Sequence, residues 1–191
     1  MSYNRKQADV AAAREERLAG SIRVAAVVKV LKFNPAQMTV DVQPLNKRQI
    51  DGQYASASPL MGVPVASICC GKYTIRPWYE RGDVGTVIFC DADIDTALAT
   101  GEEAEPNTQR SHAPEDGVFI GGLATGNTVP SGLPDNALIL AAGSTYIAVT
   151  DGGVAVGGNL TVNGTLTAGG VALNGHTHTA PEGGGTTSGP H

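Results

Sequence analysis

Apolar and polar residues alternate through the first part of the chain. In SIRVAAVVKVL (21–31), Ile22, Val24, Ala26, Val28 and Val30 fall on one face. NPAQ (34–37) reads as a turn. MTVDVQPL (38–45) then sets Met38, Val40 and Val42 inward against Thr39, Asp41 and Gln43. A period of two is the mark of a half-buried strand. MGVPVASICC (61–70), KYTIRPW (72–78) and VGTVIFC (84–90) predict further strands. About five short strands separated by turn residues suit a small closed barrel over 21–129. The segment 101–117 is a polar loop, and VFIGGLA (118–124) adds one last apolar piece. Ahead of the barrel, residues 4–19 predict a short helix within a separate 1–20 segment. Asn4 can cap it, alanines fill it and Gly20 can end it.

The pattern changes after about residue 130. Apolar pairs recur two residues apart: Ile147 and Val149, Val154 and Val156, Leu160 and Val162, Leu166 and Ala168, Val171 and Leu173. Glycine-containing breaks separate them, so the segment 130–173 predicts very short strands joined by tight turns. Ten small apolar side chains cannot form a core within one chain, because ordering the backbone costs more than they return. Such a stretch is either a disordered glycine-rich tail or a repeat that several copies wrap around a shared axis. Regular alternation and scarce Ser, Gln, Lys and Glu favour the second. A parallel homotrimer would turn each pair into a three-fold apolar layer, and the layers would stack into a rod.

Charge sharpens the division. All 13 Lys and Arg lie in residues 1–110, together with 13 of the 18 acids, so that part is close to neutral. The remainder carries only Glu115, Asp116, Asp135, Asp151 and Glu182. A nucleic-acid groove needs clustered positive charge, so no nucleic-acid partner is expected. No apolar run approaches the length of a membrane-spanning helix. The N-terminal twenty residues are too charged for a signal peptide, so synthesis and folding in a cytoplasm are expected. Cys69, Cys70 and Cys90 read as reduced, buried thiols there.

The candidate chemistry sits in the last segment, 174–191, where NGHTHTAPEGGG (174–185) places His176 and His178 one residue apart. In an extended strand both imidazoles point to one side. On a trimeric rod six would converge on the axis, a donor set suited to an octahedral first-row metal, Fe²⁺ or Ni²⁺ more than Zn²⁺. With no open coordination position, such a site is a structural clasp. Elsewhere, Asp91, Asp93, Asp95 and Glu102 fall at positions one, three, five and twelve of a calcium-type loop. Thr96, however, stands where the sharp turn needs Gly, and strand rather than helix precedes the loop. His112 reads as a surface histidine with no catalytic set around it. Trp78 reads as a core residue rather than a sugar-stacking platform, since large aromatics usually fill cores.

The stretches GDVGTVIFCDADIDTALATG (82–101) and NGTLTAGGVALNGHTHTAPEGGGTTSGP (163–190) resemble the membrane-puncturing central spike of contractile-tailed phages, in its small form, and the resemblance covers most of the chain. It implies an all-β protein: an oligonucleotide/oligosaccharide-binding (OB-fold) barrel, an intertwined trimeric β-helix and a metal-bound tip. It also implies that His176 and His178 bind iron, one ion per trimer with six His ligands. The partners implied are a baseplate or tail-tube hub protein and the host outer membrane. The location implied is the tail baseplate of the virion, and the role is mechanical rather than enzymatic. A trimeric glycan-binding short tail fibre and the spike of a type VI secretion-like machine are the rival readings.

Overall fold

The computed structural model describes residues 9–15, 22–50, 52–70, 72–126, 128 and 130–173, with only the backbone at Cys69 and Cys70. The chain divides into two compact units, Met1–Val129 and Pro130–His191. Residues 9–15 are helical (α1), inside the helix expected over 4–19.

The first unit is built on a five-stranded antiparallel sheet. Its strands are β1 (Ala25–Asn34), β2 (Thr39–Pro44), β5 (Leu60–Pro64), β8 (Val84–Phe89) and β9 (Gly117–Gly122), in the order β5-β2-β1-β8-β9. The alternation read from the sequence decides which residues face in. Val28 and Val30 of β1, Val40 and Val42 of β2, and Val87 and Phe89 of β8 are buried, while their neighbours point out. Register shifts interrupt the ladders at Val30/Lys32, Val40/Val42 and Gly85/Thr86. Such irregularities bend a strand and tighten its twist. The sheet accordingly curls into a half-barrel, whose edges meet where Val65 bridges Phe119 in parallel and the Ala66 N–H donates to the Phe119 carbonyl at 2.9 Å.

Phe119 is fully buried at the centre, with Tyr79 edge-on to it at 5.0 Å and Phe33 edge-on to Tyr79 at 5.6 Å. Gly85 must lack a side chain, because a Cβ there would run into the Phe119 ring and the Gly121 carbonyl. The aromatic that fills the core is thus Tyr79. Trp78, expected inside, is 64 % exposed and touches the core only edge-on through Phe33, at 5.7 Å. Consecutive residues of an extended segment point to opposite sides, so only one of the pair can enter.

Two hairpins stand outside the barrel sheet: β3 (Arg48–Ile50) with β4 (Gln53–Ala55), and β6 (Ile68–Cys70) with β7 (Tyr73–Ile75). The segment 72–78 was expected as a barrel strand. Instead Tyr73–Ile75 pairs only with β6, and Ile68, Tyr73 and Ile75 are exposed. The apolar piece at 118–124 supplies the fifth barrel strand in its place.

The second unit contains a three-stranded antiparallel meander, β10 (Leu138–Ala142), β11 (Thr145–Thr150) and β12 (Gly153–Gly157). A two-residue ladder, β13 (Thr167–Ala168) with β14 (Val171–Ala172), follows it. Leu160 and Val162 lie outside strands. No helix among the described residues is long and apolar enough to cross a membrane.

Candidate functional site

His176 and His178 lie outside the described residues, so the tip expected from the sequence carries no geometry here. Two other constellations do: an arginine-centred cluster in the connection between β8 and β9, and an exposed apolar face on the second unit.

The cluster is built by the connection from β8 to β9. After Phe89 the chain turns through Asp91–Ile94 into a short helix, α2 (Asp95–Thr100), which Gly101 ends in a left-handed conformation. A loop then returns through Arg110 to a 3₁₀ turn at Pro114–Asp116. Arg110 gathers three carboxylates of this connection. Its Nε donates to Asp116 Oδ2 at 2.8 Å and its Nη2 to Asp116 Oδ1 at 2.8 Å, a two-pronged pair. Nη2 also reaches Asp95 Oδ2 at 2.9 Å and Asp93 Oδ1 at 3.1 Å. The Asp93 and Asp116 side chains are fully buried. Their remaining acceptors are used as well: Asp93 takes the Asp95 N–H and the Thr108 hydroxyl, and Asp116 takes the Ile94 N–H.

The electrostatics follow from these contacts. The Asp95 N–H holds the Asp93 carboxyl below its ordinary range, against the opposing effect of burial and with help from Thr108 and Arg110. Arg110 does the same for Asp116, again against burial, with the Ile94 N–H adding to it. The hydrogen bonds to Asp116 and then Asp95, helped by the charge of Asp93, in turn push the Arg110 guanidinium up, against burial.

Ligand oxygens of Asp93, Asp95 and Asp116 lie within 4.8 Å of one another, a grouping that could hold a cation. The cation among them is Arg110. The calcium-type loop therefore takes another course: Asp95 opens a helix, Thr96 lies inside it, and Glu102 follows its end. Asp91 is exposed and faces His112 Nε2 at 3.7 Å. His112, expected at the surface, is half-buried. Cys90 is half-buried and free. Burial, followed by Asp116 and Asp91, pushes its thiol up, which keeps it protonated and a poor nucleophile. Sequence reasoning missed Asp116 and Arg110 as a pair. The available signal was that Arg110 is the only Lys or Arg after Arg81, in a stretch rich in acids.

The second constellation follows from strand register. Leu138 lies opposite Val149, which lies opposite Val154; Leu140 lies opposite Ile147, which lies opposite Val156. Residues directly across an antiparallel ladder share a face, so these six aliphatic side chains form two rows of three. All are between 40 and 76 % exposed. On the other face Ile139 lies opposite Ala148, Ala148 is buried, and Tyr146 covers Gly157 so closely that no Cβ fits there. Leu138 and Leu140 were not among the pairs singled out from the sequence. The fold adds them, because β10 brings them into line with the pairs of β11 and β12.

A search against protein families matches residues 27–122 to the N-terminal domain of the phage protein Gp138, a match running from within β1 to the end of β9. No curated protein matches the chain. The matched region is half of the sequence and contains the curled five-stranded sheet and the Arg110 cluster. This β-rich chain belongs to the phage family defined by the Gp138 N-terminal domain.

Proposed function

We propose that the protein is a non-enzymatic structural part of a phage baseplate: a trimeric central spike that sheath contraction drives through the host outer membrane. The observation that carries this reading is the uncovered face of β10, β11 and β12. Six aliphatic side chains in one patch are more than a solitary soluble unit usually leaves open. Full burial of a side chain of this size is worth roughly 1.5–3 kcal/mol, less where it is already half covered. Three copies packing these faces around one axis would cover them and remove exposed strand edges.

The remaining features support the same reading. The family is a phage family. The first unit, with five strands, an order that puts β1 in the middle and edges meeting at one parallel bridge, suits an OB-fold barrel. It would seat the spike on a tail-tube hub protein. Residues 111–191 lack Lys and Arg and so have no cationic group to cling to anionic lipid headgroups. At the end of the rod, His176 and His178 of three chains would hold one iron ion or another octahedral first-row metal.

Native mass spectrometry of the full-length protein with metal analysis tests assembly and metal together. The expected species is three 19.5-kDa chains with one iron. A monomer overturns the spike reading. A trimer with no stoichiometric metal overturns the tip alone.

A further inference from the structure

A cavity of about 490 Å³ opens in the first unit beside the start of β1 and the connection after β2. Arg23, Lys47 and Arg48 line it against a single acid, Glu115, and the wall between includes Leu60 and Phe89. Three cations against one acid is a pronounced local excess in a chain whose net charge is −5. None of the three cations has an ion-pair partner among the described residues. The Nε of Arg23 is buried and has no acceptor. A buried N–H of a charged group is rarely left unmatched, so the cavity is short of an acceptor that none of the described residues supplies.

The same chain carries a complementary element. Glu102, Glu103 and Glu105 follow α2 in the loop that returns to Arg110, all three exposed and without an ion-pair partner among the described residues. Both stems of that loop are tied by the Arg110 cluster, through Asp93 and Asp95 on one side and Asp116 on the other. The acids are therefore presented on a braced loop.

We propose that the cavity receives the acidic loop of a neighbouring copy, with Glu102, Glu103 and Glu105 facing Arg23, Lys47 and Arg48. The occupant is a second copy of this chain because the charge complement of the cavity lies on the chain itself. A contact between two different patches runs head to tail from copy to copy and closes in a ring when the rotation allows. The cavity is of a size that takes a short segment of chain. The contact rests on the trimeric reading above and extends it, giving the barrels an interface of their own that fixes their rotation about the axis.

Zero-length carbodiimide cross-linking tests it on full-length protein assembled from mixed unlabelled and ¹⁵N-labelled chains. The expected product joins the Lys47 amine to a carboxylate within residues 102–105, with one labelled and one unlabelled peptide. Arg23→Glu with Arg48→Glu, which leave the Lys47 amine in place, should cut its yield at least tenfold. Adding Glu102→Lys and Glu103→Lys should restore a cross-link between the exchanged partners, which a fold disrupted by the first pair would not do. Trimers that yield only same-chain cross-links at Lys47, links to some other protein, or none, overturn the loop-in-cavity contact and leave the trimer standing. A monomer overturns both.

Discussion

Arg110 shows how much one side chain can organise when it is the last cation in the chain. It neutralises two buried carboxylates and one exposed one, and fixes a connection of more than twenty residues between neighbouring strands. Removing it leaves Asp93 and Asp116 buried without their counter-ion, which costs far more than losing a surface pair. Arg110→Met should lower the melting temperature of the first unit by roughly 5 °C or more, read by calorimetry on the full chain. The pH dependence has a definite sign. Asp93 and Asp116 titrate below their ordinary range in the folded protein, so the unfolded chain takes up protons first. Their contribution is complete above the unfolded value of about 4 and is lost as pH falls through the lower folded values. The wild-type melting temperature should be steady from pH 7 to about 5 and drop below 4. Arg110→Met should flatten that drop. An unchanged acid limb would mean that Arg110 does not hold these two groups down.

At the scale of elements, the meander β10–β12 is lopsided. One face carries Ile139, Ala148, Gly157 and the Tyr146 ring; the other is two rows of aliphatics that remain 40 to 76 % exposed. Val156 sits at the end of one row, opposite Ile147. Val156→Asp should leave the hairpin pairing intact, since its backbone bonds are unaffected. In the proposed trimer it would bring three carboxylates into a dry apolar layer, an arrangement too costly to persist. Sedimentation of the full-length variant should show monomers where the wild type runs as a trimer. A variant that still assembles would mean that this face is not the contact between chains.

For the molecule as a whole, the question is what would hold three chains together: the apolar rows or the metal. The rows contribute many side chains per chain along the second unit, and a terminal clasp acts only on the last residues, where chain ends tend to fray. His176→Ala with His178→Ala should therefore abolish bound metal and leave the trimer whole. Hydrogen exchange should quicken after about Val171 and change little before Leu160, because a ligand stabilises most strongly the part that binds it. Dissociation of the double variant into monomers would reverse this ranking and make the metal the principal fastening.

The sequence by itself determined the strands whose burial is a matter of alternation. Val28 and Val30, Val40 and Val42, and Val87 and Phe89 go inside because neighbours in an extended chain cannot share a side. It likewise determined that the second unit has apolar pairs and nothing of its own to bury them against. The inward aromatic was not legible, since Trp78 and Tyr79 are adjacent and only the path of the chain after β7 decides which one enters. Neither was the Arg110 cluster. Its acids lie 15 to 17 residues before Arg110 and 6 after it, a spacing with no period, and they meet only because β8 and β9 pair and draw the ends of the connection together. The face of the second unit stands between these cases. Each Val-x-Val pair is local and visible in the sequence, but joining three strands into two rows depends on register, which hydrogen bonds between strands settle and no single strand contains.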